Sequence, residues 1–333
     1  MYLLPIRREK FSRFEAQDFA DYFKKLARAG CEVLVIDGSP PEVFSEHAKV
    51  WADVCRHKPV DPRFKNLNDK VNGVHTGVAL ASNEKIILAD DDVRYDKIDI
   101  ERMCALLDQF EVVRPQNYLR DAVRVWALAE AARMLINRAT LRTADYPGTC
   151  GFRRQTFLNA GEYDGDVLFD NEELIRHFAR RRARIAYEND FFIFKRTPSF
   201  RKWLEQRPRQ AYEDFGLRSK TILFASVLPI SIAICVFRGV LGFAVFFLLI
   251  WAGSAAIAVI GRRRGTASQY FNWQSCPLAC LWVFERAIST WLAFYWRIRY
   301  RGYPFGRRLL KKGIGRDWIE GGKIAAATHV SRN

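Results

Sequence analysis

Two long apolar stretches without a charged residue constrain the fold of this 333-residue chain more than any other feature. They cover residues 221–237 and 239–261, and only Arg238 separates them. A helix needs about 20 predominantly apolar residues to cross a bilayer core, so the second stretch is long enough and the first is near the lower limit. We therefore expect a transmembrane helical hairpin over 219–261. The alternative is a buried helical hairpin of a soluble domain.

Basic residues flank both apolar stretches, and the whole chain carries a formal charge of +16. Arg262–Arg264 follow the second stretch directly. A further basic run without any acid comprises Arg297, Arg299, Arg301, Arg307, Arg308, Lys311 and Lys312. Because basic residues concentrate on the cytoplasmic side of membrane proteins, we expect a multi-pass protein of a bacterial inner membrane with its polar domain in the cytoplasm. No nucleic-acid-binding motif accompanies the charge, which argues against a nucleic-acid partner.

A third apolar stretch, 277–297, is rich in aromatic residues and contains Glu285 and Arg286 near its middle. Two charges at the centre of a spanning helix are costly in hydrocarbon. We expect an amphipathic helix in the membrane interface, with a spanning helix as the alternative. The sequence thus divides into a polar domain (1–218), a hairpin (219–261), and a basic loop, interfacial helix and basic tail (262–333).

The polar domain alternates strand-like and helix-like patterns. Continuous apolar runs predict buried strands over 2–6, 31–36 and 85–88. Helical spacing of apolar residues predicts helices over 15–29, 41–55 and 70–81. This alternation predicts an α/β fold with a mostly parallel sheet and helices on both faces. Ligands bind beyond the carboxyl ends of such strands, which makes Asp37 and the acidic run after residue 89 candidate site residues.

Three adjacent carboxylates, Asp90, Asp91 and Asp92, follow the third predicted strand. In an extended segment Asp90 and Asp92 point to the same side, and two oxygen donors so placed suit Mg²⁺ or Mn²⁺ with diphosphate oxygens completing the coordination. Asp91 points elsewhere and could contact a ribose. The other interpretation is a solvated acidic turn or a helix N-cap, and Asp37 could equally be a turn residue.

The order of these motifs over residues 2–215 resembles family 2 glycosyltransferases, which have the GT-A nucleotide-sugar fold. The apolar C-terminal stretches are similar to those of the members with C-terminal helices, and a QxxRW-like motif, described below, resembles that of cellulose-synthase-like and ceramide-glucosyltransferase-like members. The resemblance implies a nucleotide-sugar site formed by Pro5, Arg7, Asp37, Lys70, Asp90 and Asp91. It also implies that Asp90 and Asp92 are the acids of a metal-binding DxD motif. Residues 147–154 resemble the family's small-residue loop near the acceptor.

The family also has a catalytic acid pair at a helix start, which acts as general base toward the acceptor hydroxyl. The matching segment here is 169–174, in which Asn171 stands where the family has an acid. Asp170 is the first candidate for the base, Glu173 the second and Glu172 the third. The alternative is that these acids only face the positive end of the helix dipole.

A QxxRW-like motif precedes the first apolar stretch. Gln206 and Arg209 match the motif, and Gln210 replaces its tryptophan. The resemblance implies that Arg209 steadies the departing diphosphate. The alternative is a basic amphipathic helix lying on the membrane, and both can hold together.

We therefore expect an inverting glycosyltransferase that moves a sugar from a UDP-linked donor to a membrane-associated acceptor, a lipid, without an obligatory protein partner. One alternative is a catalytically silent relative that binds lipid or acts as a scaffold. Another is a polysaccharide-elongating synthase that works with a partner subunit. A Rossmann-type oxidoreductase would need a glycine-rich fingerprint after the first strand, where this chain has residues 7–10, RREK.

Overall fold

The structure is a computed structural model that describes residues 1–120, 122–305 and 308–312. The chain forms two compact units. Within the described residues, the first unit contains Met1–Pro115 and Pro147–Glu188, and the second contains Gln116–Tyr146 and the chain from Asn189 onward. The predicted basic tail falls largely outside the described residues, since Arg307 and residues 313–333 are not among them.

The first unit is built around a sheet flanked by helices. The strands are β1 (Tyr2–Ile6), β2 (Val33–Asp37), β3 (Arg56–Pro59), β4 (Lys85–Ala89), β5 (Val93–Arg94), β6 (Val112–Tyr118), β7 (Thr149–Arg153) and β8 (Ile185–Lys195), the sixth and eighth of which continue into the second unit. The helices are α1 (Arg13–Arg28), α2 (Pro41–Trp51), α3 (Asp69–Leu80), α4 (Lys97–Gln109), α6 (Arg154–Ala160) and α7 (Asp170–Arg180).

The strand order of the sheet is β3-β2-β1-β4-β7-β6-β8-β5. Strands β3, β2, β1 and β4 pair in parallel, whereas β7 runs antiparallel to both β4 and β6. The predicted α/β fold with a mostly parallel sheet is therefore confirmed. In the parallel part, the carboxyl ends of β1, β2 and β4 lie at the same edge, and this edge carries the candidate site.

Two glycines of α3 fix how closely this helix approaches β1. A Cβ added to Gly73 would lie 2.9 Å from the Cβ of Pro5, and one added to Gly77 would overlap the side chain of Leu3. Glycine costs about 1 kcal/mol relative to alanine inside a helix, so the close packing accounts for both. Because α3 lies so near β1, its first turn, which contains Lys70, is held at the edge where the strands end.

The second unit is mainly helical. Its elements are α5 (Val125–Thr140), α8 (Phe200–Glu213), α9 (Arg218–Arg263), α10 (Ala279–Tyr300), β9 (Tyr303–Phe305), β10 (Arg308–Leu310) and three short 3₁₀ turns at Asp214–Gly216, Ala267–Gln269 and Trp273–Ser275. Among the described residues, one helix is long and apolar enough to cross a membrane, over Ser219–Arg263, and its most apolar window is not buried within the protein.

The long helix α9 is broken at the position where the sequence predicts a hairpin. Gly239 has a φ of 64°, outside helical values. A Cβ added to Gly242 would lie 3.4 Å from Cγ2 of Ile234, although eight residues of continuous helix span about 12 Å. The two segments of α9 therefore approach each other at Gly239. That both segments cross a membrane stays a prediction.

The charged centre of α10 faces the interior of the second unit. Arg286 is buried; it donates to Oε1 of Gln210 at 2.9 Å and lies 3.3 Å from Asp214. Trp291, Tyr295 and other large apolar side chains of the same helix are exposed. The charged contacts of α10 thus lie inside the second unit, and its large apolar side chains lie on the surface. Whether this helix spans or lies in the interface stays open between the two predicted alternatives.

Candidate functional site

A lysine ammonium joins two carboxylates at the carboxyl edge of the parallel strands. Nζ of Lys70 lies 2.5 Å from Oδ1 of Asp90 and 2.9 Å from Oδ2 of Asp170. Asn171 accepts from the same ammonium at 2.8 Å and donates to Oδ1 of Asp90 at 3.1 Å. The cluster thus connects the start of α3, the end of β4 and the start of α7. We call these four residues the lysine–acid cluster.

The surroundings of Lys70 favour its charged form. Burial alone would lower the pKa of the ammonium, but the carboxylates of Asp170 and Asp90 outweigh burial and raise the pKa well above its ordinary value. The side chain is held at the first turn of α3, where Asn68 caps the helix by accepting from the backbone N–H of Lys70 at 3.1 Å. The site therefore contains a fixed positive charge beside two acids.

The acidic run is a turn and not an extended segment, in contrast to the geometry expected from the sequence. The N–H of Val93 donates to the carbonyl of Asp90 at 3.1 Å, while the N–H of Asp90 donates to the carbonyl of Gly148 at 2.8 Å. Aspartate favours turns, and the turn lets β5 begin directly at Val93. The alternation that places Asp90 and Asp92 on one side of a strand therefore does not apply here.

Asp91 points toward the start of the chain. Its Oδ2 lies 2.6 Å from the guanidinium of Arg8, which also donates from Nε to Glu15 at 2.9 Å. The nearby Arg7 pairs with Asp69. Sequence reasoning chose Arg7 and missed Arg8, although Arg8 is the arginine that contacts the acidic run. Pro5 lies inside β1, paired with Ile36, and contributes packing beneath α3.

The donor chemistry at the acidic run suits a hard divalent cation. Asp90 and Asp92 supply carboxylate oxygens, and Oδ1 of Asp92 is buried, as the ligand oxygen of a bound cation is. Among the residues that the structure describes, no group of three or more histidine, cysteine or acidic side chains is placed to hold a metal ion. A cation held at Asp90 would share this carboxylate with Lys70.

Asp37 lies at the end of β2, but its carboxylate is fully enclosed. Oδ1 accepts from the N–H of Ser39 at 2.9 Å, and Oδ2 accepts from Nδ1 of His47 at 2.7 Å and from Nε2 of His57 at 3.1 Å. Burial would raise the pKa of Asp37, but the hydrogen bonds from both histidines and from Ser39 outweigh burial and hold the pKa well below its ordinary range. The predicted nucleoside contact of this carboxylate stays a prediction.

The three candidate bases of α7 have different surroundings. Asp170 is a member of the lysine–acid cluster and only 4% exposed. Glu172 pairs with Arg114 at 3.0 Å. Glu173 is fully buried and lies 2.7 Å from the guanidinium of Arg180 and 3.7 Å from that of Arg176. The structure brings Asp170 to the other acids of the site, whereas Glu172 and Glu173 serve as partners of arginines.

The QxxRW-like motif lies in the second unit. Gln206 and Arg209 line a cavity of about 420 Å³. Arg207, which the motif does not include, is buried and lies 2.8 Å from Glu130, and Gln210 accepts from Arg286. Sequence reasoning missed Arg207, because nothing in the local pattern distinguishes it from the less buried basic residues around it.

Comparisons with known proteins found similarity in fold. No family profile and no curated protein matches the chain in sequence. A mannosyltransferase from Pyrobaculum calidifontis, solved with GDP-Man and Mn²⁺, is 15% identical, with 87% of this chain and 86% of that chain covered and a TM-score of 0.47. A glucosyl-3-phosphoglycerate synthase from Mycobacterium tuberculosis, solved with Mn²⁺ and UDP-Glc, is 18% identical, with 60% and 72% covered and a TM-score of 0.41. The function is argued below from the residues of the site.

Proposed function

We propose that this chain is a nucleotide-sugar-dependent glycosyltransferase of the family 2 type, held at a membrane by α9. The observation that carries the proposal is the lysine–acid cluster at the carboxyl edge of the parallel strands, where α/β sheets bind their ligands. A fixed cation beside acids from separate elements suits a diphosphate leaving group and an acceptor hydroxyl that must lose a proton.

The donor side of the site rests on the acidic run and its basic neighbours. A divalent cation, Mg²⁺ or Mn²⁺, held by Asp90 and Asp92 would neutralise the diphosphate when bound. Lys70 holds Asp90 in place through the 2.5 Å contact. The Arg8 contact fixes the carboxylate of Asp91 on the other side of the turn. The backbone carbonyl of Asp91 also accepts a hydrogen bond from Arg94 at 2.7 Å. The run is thereby ordered before donor binds, which lowers the entropy cost of binding.

Asp170 is the general base in this proposal. It accepts the proton of the acceptor hydroxyl while the oxygen attacks the anomeric carbon, and the bond between that carbon and the diphosphate oxygen breaks. One displacement of this kind inverts the configuration at the anomeric carbon. Burial of Asp170 excludes water that would otherwise compete as acceptor. The role of Arg209 at the diphosphate stays a prediction from the motif alone.

Membrane attachment is supported by the second unit, and a lipid acceptor is proposed because an enzyme at a membrane has lipids within reach. Its long apolar helix exposes a row of large apolar side chains that a soluble surface rarely carries, among them Ile232, Phe237, Leu241 and Leu249. The break at Gly239 favours a hairpin that enters and leaves on the same side, with Arg262–Arg264 at its end. On the basis of this charge pattern we propose a multi-pass protein of the bacterial inner membrane whose first unit faces the cytoplasm.

The proposal is tested by incubating membranes that contain the protein with a panel of labelled nucleotide-sugars and then extracting the membranes with organic solvent. We expect label from one donor, UDP-linked, in the organic phase, and its loss in the Asp170→Asn variant. The Asp21→Asn variant makes the same chemical change at an exposed position of α1 and should retain activity.

Two other outcomes identify the alternatives. Label in an insoluble glycan and none in lipid indicates a polysaccharide synthase. Donor binding without turnover indicates a silent relative, which the engagement of both carboxylates by Lys70 also fits. Neither binding nor turnover with any donor contradicts the proposed function.

A further inference from the structure

A single guanidinium interrupts the apolar part of α9. Residues 221–261 contain Arg238 and no other charged side chain, and no acid occurs in the sequence between Asp214 and Glu285. Arg238 is exposed, and it forms no ion pair with any residue in the described part of the chain. A charge in apolar surroundings is costly unless an opposite charge accompanies it. The anion that accompanies this guanidinium therefore comes from outside the hairpin.

The position of Arg238 divides α9 into two arms of similar length. The first arm runs from Arg218 to Arg238, and the second runs from Gly239 to Arg262. At a rise of 1.5 Å per residue, the arms are about 30 Å and about 35 Å long. The hydrocarbon core of a bilayer is about 30 Å thick. A hairpin that enters the core at Arg218 therefore brings Arg238 to the opposite boundary, where the phosphate groups of the other leaflet lie.

A groove lies between the two arms beside Arg238. Its volume is about 480 Å³, and Arg238 is the one charged residue among those that line it. The rest of the lining consists of glycine and large apolar side chains: Ile234, Leu241, Gly242, Val245, Phe246 and Leu249. Gly242 allows the close approach of the arms, because a Cβ there would overlap the Cβ of Arg238. We call this feature the Arg238 groove.

We propose that the Arg238 groove binds an anionic phospholipid of the leaflet opposite the first unit. Its phosphate accepts two parallel hydrogen bonds from the guanidinium, and one acyl chain lies along the apolar lining. The site is separate from sugar transfer, and it rests on the membrane crossing of α9 proposed above. A second copy of the hairpin could cover the apolar lining but would bring no acid to Arg238, whereas a phospholipid supplies both the chain and the anion.

Native mass spectrometry of the full-length protein in detergent counts bound lipid molecules and measures their affinity. The protein is titrated with phosphatidylglycerol, with phosphatidylcholine and with inorganic phosphate. We expect one phosphatidylglycerol to bind more tightly than phosphatidylcholine, and to bind Arg238→Gln about fivefold more weakly than wild type. Inorganic phosphate should not displace it, because this anion has no chain to fill the groove. Equal affinity for the two lipids, equal affinity of wild type and Arg238→Gln, or displacement by inorganic phosphate overturns the proposal.

Matched variants assign the binding to the groove. Arg13→Gln makes the same charge change at an exposed position of α1 and should leave the affinity for phosphatidylglycerol unchanged. Val245→Trp fills the groove, whereas Leu248→Trp enlarges an exposed side chain of the same helix outside the lining. We expect Val245→Trp alone of these two to lose affinity for the lipid. Equal affinities for the two tryptophan variants overturn the proposal, and a dimer without bound lipid assigns the groove to a second copy.

Labelling from one side of the membrane separates the crossing from the lipid site. Val240 is 79% exposed and lies directly after the break at Gly239. We expect a membrane-impermeant maleimide to label Val240→Cys in intact spheroplasts of an expressing bacterium, above the background of wild type with its exposed Cys235. Labelling only after lysis overturns the crossing and, with it, the lipid site. Neither measurement depends on turnover of a nucleotide-sugar, the absence of which contradicts only the proposed glycosyltransferase activity.

Discussion

Replacing Lys70 by methionine tests whether its ammonium holds the site together. The substitution keeps an unbranched side chain that is one atom shorter, and it removes the charge that lies 2.5 Å from Asp90 and 2.9 Å from Asp170. Two carboxylates then face a common space with only the Asn171 amide between them. The side chains of Lys70, Asp90 and Asp170 are 22%, 27% and 6% exposed, so solvent screens their interaction only in part.

The expected cost follows from this partial burial. Removing one partner costs about 3–5 kcal/mol in a buried ion pair and about 0–1 kcal/mol in an exposed one. We expect Lys70→Met to lower the free energy of unfolding by about 2–3 kcal/mol, a value between those for a buried and an exposed pair. At about 2–4 °C per kcal/mol, the midpoint of thermal unfolding should fall by roughly 4–12 °C.

Thermal unfolding of the full-length protein in one detergent, followed by circular dichroism, measures this shift. The control is Lys97→Met, which breaks a pair with Glu101 on α4 whose side chains are 70% and 62% exposed, at 3.7 Å. We expect the control to cost less than about 0.5 kcal/mol. Equal midpoints for the two variants would refute the reasoning, because the ammonium would then contribute no more than a surface charge.

Three further predictions follow from the same contacts. Asp37→Asn should lower the unfolding midpoint at pH 7, and the difference from wild type should shrink as the pH falls below about 4. The reason is that the pKa of Asp37 in the folded protein lies below its unfolded value of about 3.9, so the carboxylate stabilises the fold above that pH and loses this effect in acid. Glu173→Gln should lower the free energy of unfolding of the purified protein by about 3 kcal/mol, because two arginines lose a buried partner. Asp170→Asn should instead lower kcat of the purified protein about 100-fold or more. A loss of kcat confined to Glu173→Gln would make Glu173 the base. Gly239→Ala should destabilise the protein by about 1–2 kcal/mol, because Gly239 has a positive φ. Gly253→Ala, at a helical position with open space around it, should stabilise the protein by about 0.5–1 kcal/mol. Equal unfolding midpoints for the two variants would argue against the break in α9.

The strands and helices near the site were predictable because their patterns are local. The predicted helix over 70–81 is observed as Asp69–Leu80, and the predicted strand over 85–88 as Lys85–Ala89. Lys70 and the acids near residue 90 follow from these elements, since the start of a helix and the end of a strand meet at one edge of the sheet. The break in the apolar helix was also predictable, because glycine and an arginine interrupt the apolar pattern there.

The partners of the site residues could not be predicted, because they depend on packing between distant positions. His47 and His57 close around Asp37 from α2 and β3, ten and twenty positions away, and no local pattern joins them. The acidic run is also tied to a distant segment, because the N–H of Asp90 donates to the carbonyl of Gly148. The sequence also placed a predicted general base and a buried structural acid three positions apart on α7, and only their surroundings distinguish Asp170 from Glu173.

Turnover of the labelled donor by two adjacent aspartate variants tests the central claim most directly. Asp92→Asn and Asp91→Asn are compared with wild type over a range of Mn²⁺ concentrations. We predict that Asp92→Asn lowers turnover roughly 100-fold or more and raises the Mn²⁺ concentration needed for half-maximal rate, whereas Asp91→Asn leaves that concentration unchanged. Undiminished turnover by Asp92→Asn, at an unaltered Mn²⁺ requirement, would contradict the account.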